Sequence, residues 1–205
     1  MDLAKTLSLS IVMVVGPQIL TAVFLATSEN WKKKSLAFIA GAGVSITIVT
    51  TLSYLLGVGA AGEGASKNTI SYVILAFLFF SAVTTFLNRK KSKSPKWMSK
   101  LSQVQPRTAF KLGFILLGVF PSDILTSISV GGYFARNDQS WLHILPFISL
   151  VLLLLSLPAL LVFTFGKRAE VFLPKVRTWM NENAWVVSEV VIGLFVVLVL
   201  SGLNS

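Results

Sequence analysis

The sequence predicts an all-α, polytopic membrane protein of six transmembrane helices, arranged as two inverted three-helix repeats with helices broken at Pro17 and Pro121. Three observations carry this prediction. Of 205 residues, 54% are hydrophobic and 13% charged, with mean hydropathy +0.78, so there is too little polar surface to coat a water-soluble domain of this size. Six apolar windows, Leu7–Thr27, Ser35–Val58, Ile70–Leu87, Leu112–Phe134, Ile144–Phe165 and Ala184–Leu203, each approach the roughly 20 residues a helix needs to cross a bilayer. Finally, Gly16-Pro17-Gln18-Ile19-Leu20-Thr21 in the first window is echoed by Phe120-Pro121-Ser122-Asp123-Ile124-Leu125-Thr126 in the fourth. Three spans separate these copies, an odd number, so the two halves cross the membrane in opposite senses.

The windows are continuous apolar runs, which excludes the alternating segments of about ten residues that build a transmembrane barrel. The first contains Gly16-Pro17, has Lys5 as its only early positive charge and lacks a small-x-small cleavage site, so it reads as a helix and not a signal peptide. In the second, Ala40, Gly41, Ala42, Gly43 and Ser45 form a small face that lets a neighbouring backbone approach closely. The chain then divides into a first repeat (1–88), a basic loop (89–111) and a second repeat (112–205). Within the loop, Ser94-Pro95 offers an N-cap followed by proline. Trp97, Met98, Leu101 and Val104 then recur at near-helical spacing. That segment reads as a short amphipathic helix on the membrane surface, with Lys93, Lys96, Trp97 and Lys100 meeting anionic lipid. Phe172, Val176 and Trp179 repeat the pattern after the fifth window, and Trp31, Trp141, Trp179 and Trp185 mark window edges as interfacial anchors.

Charge placement sets the expected orientation. Of 18 Lys and Arg residues, 15 fall in the first, third and fifth loops, leaving Lys5, Lys67 and Arg136 on the other side. Because cytoplasmic loops collect basic residues, both termini are expected outside a plasma (inner) membrane. The same placement accounts for the net charge of +10 without nucleic acid. Zero cysteine and a single histidine, His143, leave no thiol chemistry, disulfide framework or His-rich metal site. No HExxH, GxSxG, paired intramembrane carboxylates or nucleotide-binding loop is present. The expectation is a protein that is not an enzyme, with no cofactor and no metal.

The candidate site lies at the two breaks. Proline lacks an N–H and strains the preceding turn, and irregular backbone at membrane depth survives only where it is buried in protein or lines a cavity. An ionisable residue inside a span is costly and so marks a cavity or a partner. Asp123 sits mid-window beside Pro121, and Gln18 beside Pro17 is its pseudo-symmetric counterpart. The predicted substrate or ion site is therefore Asp123, Gln18, Pro17, Pro121, Ser122 and Gly16, with Glu189 as a secondary candidate.

In the last third, Phe165-Gly166-Lys167-Arg168-Ala169, Trp179-Met180 with Asn183, Gly193 and Gly202-Leu203 follow a recognisable pattern, and the early Gly16-Pro17 fits it. On these residues the chain resembles the Gap/Sap group of glycolipid-addressing membrane proteins, within the wider superfamily of LysE-type exporters. Where that group commonly carries Asn-Pro-Lys-Asn in the fourth span, this chain has Phe120-Pro121-Ser122-Asp123. The resemblance implies a secondary exporter or flippase of a lipid-like or amphiphilic envelope molecule, coupled to a proton or ion gradient. Two alternatives remain open: an exporter of a small polar solute or cation, and a non-transporting accessory subunit for envelope-lipid export. Expected partners are membrane lipids and the transported molecule, with a second copy or an export machine as further candidates.

Because the chain is free of cysteine, topology is directly testable. Single cysteines at Ser66 and Ser94 are expected to label oppositely with an impermeant reagent in intact cells, Ser66 from outside and Ser94 only after permeabilisation. Labelling of both from one side contradicts the six-span, termini-out arrangement.

Overall fold

Helix follows helix wherever the computed structural model describes the chain, which is residues 3–56 and 104–183 together with Val186, Gly193 and Val196. The third window, most of the sixth, the segment carrying Lys93, Lys96, Trp97 and Lys100, and Glu189 lie outside the described residues. In order come α1 (Leu3–Val14), α2 (Pro17–Ala26), α3 (Trp31–Leu56), α4 (Pro106–Gly118), α5 (Pro121–Arg136), a 3₁₀ turn (Trp141–Ile144), α6 (Leu145–Phe165) and α7 (Lys167–Glu182). The chain separates into two units, one formed by Met1–Ala60 with Pro95–Thr178 and the other by Ala61–Ser94 with Trp179–Ser205. The helices α1 to α6 belong to the first.

Local chemistry explains the helix limits. Asn30 takes φ 54°, a left-handed conformation that Asn tolerates better than most residues, and its carbonyl accepts from the N–H groups of Lys33 and Lys34 at 3.1 and 3.2 Å. The helix α3 therefore starts at Trp31, ahead of the apolar window, because three lysines are good helix formers and need no lipid around them. Gly166, at φ 49°, ends α6.

Trp31–Leu56 and Trp141–Phe165 are each long and apolar enough to cross a membrane. Two further stretches qualify only as bent pairs, Thr6–Val14 with Pro17–Ala26 at 66° and Pro106–Gly118 with Ser122–Arg136 at 65°. The first, second, fourth and fifth expected windows thus correspond to helical structure, two of them broken. All-α membrane protein is the class observed.

Glycine governs the tightest packing, and it does so between α3 and α4. A Cβ placed on Gly41 would collide with the Phe110 carbonyl, and one on Gly113 with the Phe38 carbonyl. Further along, Gly118 faces Ser45, and Gly131 of α5 faces the Thr50 carbonyl. These pairings advance together, so α4 and α5 run alongside α3 in the same direction. The small run of the second window is split by this geometry: Gly41, Ala42 and Ser45 are buried toward α4, whereas Ala40 and Gly43 face the side where Leu152 of α6 lies. A one-face reading of that run needs this correction. The helix α6 runs antiparallel to α3, with Lys32 near Phe163, Gly43 near Leu152 and the Trp141 indole N–H donating to Thr51 Oγ1 at 3.0 Å. Trp141 is thereby tied to α3.

Met13, Leu25, Phe38, Ile46, Leu117, Val130, Phe147 and Leu155 belong to the main apolar core, drawn from α1 to α6. A smaller cluster joins Val23 and Ala26 of α2 to Val162, Ala169 and Leu173. On α7 it is accordingly Ala169 and Leu173 that dock, while Phe172 and Trp179 are exposed.

A methyl group cannot be accommodated against a backbone carbonyl without moving a helix. Gly41→Ala and Gly113→Ala are each expected to destabilise the protein by about 1–3 kcal/mol, the usual cost of overpacking, read as a lower thermal midpoint in detergent. Gly193→Ala, where nothing among the described residues lies within 4 Å of the added Cβ, is expected not to lower the midpoint.

Candidate functional site

Both breaks are built by the residue ahead of the proline. The Val15 N–H closes α1 on Ile11 O at 2.9 Å. Gly16 then adopts φ 138°, ψ −146°, a conformation that side chains with a Cβ rarely take, and Pro17 opens α2. Proline suits this first position, since its missing N–H would have no helical partner there and its φ is preset. At the second break Phe120 is extended, with φ −67° and ψ 126°, and its carbonyl accepts from the Asp123 and Ile124 N–H groups at 3.0 Å each. The prolines therefore start new helices, at the two positions where the sequence places helix breaks. The two copies of Ile-Leu-Thr end in the same bond: Thr21 Oγ1 donates to Pro17 O at 2.7 Å and Thr126 Oγ1 to Ser122 O at 2.8 Å.

The first turns of α2 and α5 meet. Gln18 Nε2 donates to Asp123 Oδ2 at 2.6 Å, across 105 positions of sequence, and Ser122 Oγ donates to Oδ1 at 3.2 Å. Gln18 is 2% exposed and Asp123 0%, so the pair is sealed from solvent. The Gln18 amide is placed with its NH₂ toward Asp123, where a carboxyl oxygen accepts. The amide oxygen, Oε1, then points into buried surroundings with no hydrogen-bond partner. Gly16 lies beneath it: a Cβ there would stand 2.9 Å from Oε1. Glycine is required at this position for its φ and for the space it leaves.

Among the described residues, the buried hydroxyls of Thr50 on α3 and Ser127 on α5 have no hydrogen-bond partner, and Ser53 Oγ ties the same helix pair by donating to Ile128 O at 2.8 Å. The Asp123 carboxyl and the free Gln18 Oε1 make the meeting point of the breaks rich in acceptors, which suits a proton or a small cation better than an anion. Among the described residues no group of three His, Asp or Glu residues is placed to hold a metal.

The structure brings together Gly16, Pro17, Gln18, Pro121, Ser122 and Asp123. Glu189, Lys93, Lys96, Trp97 and Lys100 lie outside the described residues. Sequence reasoning passed over Thr21, Thr126, Ser127 and Thr50. The threonines were legible as the shared last residue of the repeated motif, whereas Ser127 and Thr50 carry no signal in a single sequence. A polar cavity of about 820 Å³ lies elsewhere, where α2 hands over to α3 and α4 begins, lined by Ser28, Glu29, Asn30, Lys33, Lys34 and Gln105.

Comparison with known families bears on these features directly. The family model described as Sap, sulfolipid-1-addressing protein, matches residues 6–203. The chain belongs to the Sap family. Comparison with curated proteins and with solved structures gives no match. Both helix breaks and the Gln18–Asp123 pair of this Sap-family chain fall inside the matched span.

A buried hydrogen bond to a charged group contributes about 1.5–3 kcal/mol, and residues in contact are not additive. Gln18→Leu and Asp123→Leu are each expected to lower stability. The double variant is expected to lose less than the sum of the two, by an amount in that range, in a double-mutant cycle read by detergent denaturation. Strict additivity would show that the two side chains do not interact.

Proposed function

We propose that this Sap-family protein is a secondary membrane transporter, an exporter or flippase of a lipid-like envelope molecule, with Asp123 exchanging the coupling proton or ion. The observation that carries the reading is the sealed Gln18–Asp123 hydrogen bond between two helix breaks. The family is described as sulfolipid-addressing, so a sulfated glycolipid is the proposed cargo class. No covalent chemistry is required of the protein.

Gln18 suits both protonation states of its partner. Its NH₂ donates to the carboxylate, and after rotation of the amide its Oε1 accepts from the protonated carboxyl. The pair is therefore satisfied whichever state Asp123 holds. In alternating access, the two broken helices separate from one side at a time, and Asp123 takes or gives its proton where water reaches it. Support for two inverted repeats comes from the matched bends of 66° and 65°, from the shared threonine bonds, and from the parallel course of α3 with α4 and α5. That course fits a second and a fourth span crossing in the same sense. Six spans, with basic loops inside and both termini outside, complete the proposal.

One observation favours the alternative cargo of a small polar solute: the 820 Å³ cavity is lined by polar residues, Lys33, Lys34 and Glu29 among them. Reconstituted vesicles decide between the readings. A fluorescent short-chain sulfated glycolipid is expected to cross the bilayer when a pH gradient is imposed. Asp123→Asn, which keeps size and hydrogen bonding, is expected to fold and to lose gradient-driven transport. Normal transport by Asp123→Asn would contradict coupling through this residue, and no transport by the parent protein would favour an accessory role.

A further inference from the structure

The seam between α3 and α6 carries a feature that the paired helix breaks do not use. Two apolar cavities, of about 580 and 270 Å³, open on this seam and share Leu36 and Ile39, so they form one continuous groove. Leu36, Ile39 and Gly43 of α3 and Leu152, Leu160 and Phe163 of α6 line it. One end reaches Lys32, whose Nζ lies 5.7 Å from the Trp31 ring centre and 5.9 Å from that of Phe163. The other reaches Ile48. At 1.5 Å per residue, the distance along α3 between those ends is about 24 Å, most of a hydrocarbon core about 30 Å thick.

We propose that this groove docks one acyl chain of an anionic lipid, with Lys32 and its two aromatic neighbours receiving the headgroup. Charge decides the headgroup: the exposed Lys32 cation, followed by the exposed Lys33, stands at the end of the groove where α3 begins and α6 finishes. Shape agrees with charge. A Cβ on Gly43 would already stand 3.3 Å from Leu152 Cδ1, so α3 and α6 touch along the floor of a shallow apolar trough that ends at a cation, the form of one acyl chain with an anionic headgroup. Leu36, Val44 and Ile48 are exposed along its edge, so none of the described residues closes it from the side. This docking role rests on the lipid-transport reading, for which it supplies a lateral entrance.

Photolabelling of the full chain in vesicles tests it. The probes are phosphatidylglycerol and phosphatidylcholine, each with a diazirine on the acyl chain. The phosphatidylglycerol probe is expected to concentrate on 36–48 and 152–163 over other lipid-exposed positions such as Leu55 and Ile115. Lys32→Gln is expected to lower that labelling about fivefold and to leave the phosphatidylcholine signal unchanged. Ala40→Phe, at an exposed position lining the groove, is expected to lower both. Gly43→Leu, a second obstruction one turn further along α3, is expected to lower both as well. Uniform labelling around the protein, or labelling indifferent to all three substitutions, overturns the proposal, as does protein–protein cross-linking through this face. Asp123→Asn separates the two claims, since it is expected to lose transport and keep the labelling. Uniform labelling with transport still dependent on Asp123 refutes the groove alone. Groove labelling with normal transport by Asp123→Asn refutes the coupling alone.

Discussion

A hydrogen bond between two buried polar side chains, Gln18 and Asp123, is the interaction on which this structure turns. In hydrocarbon, no water satisfies a freed backbone group or an exposed carboxyl. Each helix break is therefore tolerable only if it faces protein, and each break here faces the other. Gly16 supplies the turn and the room for the Gln18 amide. Proline at the head of α2 and of α5 begins each new helix where its missing N–H costs nothing, and the two threonines occupy carbonyls in the first turns. Remove the pair, and two short helices would present polar ends to an apolar interior.

The rest of the first unit supports this meeting point. The glycine contacts of α3 with α4 and α5 hold the second broken pair along an unbroken helix, which fixes where Asp123 can lie. Antiparallel α6 closes the other side through Trp141, Leu152 and Phe163. One unbroken helix on either side of two broken pairs is an arrangement able to open at the breaks while the interlocked faces stay packed. The orphaned Gln18 Oε1 then has a use, because it is the acceptor that a protonated Asp123 would need.

Much of this was legible from residue chemistry. Apolar windows locate the described helices because a membrane helix must satisfy its own backbone over about 20 residues. The repeated Pro…Ile-Leu-Thr located both breaks, and the cost of a carboxyl within a span singled out Asp123, with Gln18 opposite. What the sequence hid is which face of each helix meets which neighbour. A span apolar all round carries no amphipathic stripe to read. Ala40 and Gly43 thus looked equivalent to Gly41 and Ala42, although one pair borders the α6 groove and the other packs on α4. The break chemistry was half legible for a similar reason. Proline marks the place, but only the backbone shows that Gly16 and Phe120 make the turn.

Isotope-edited infrared spectroscopy of the Asp123 carboxyl in reconstituted protein tests the central claim most directly, because it reports both the hydrogen bond and the protonation of one side chain. The account predicts a carboxyl band that shifts when Gln18 is replaced by leucine and that changes when a sulfated glycolipid is added under a pH gradient. A band indifferent to Gln18 and unaltered by lipid and gradient would contradict it.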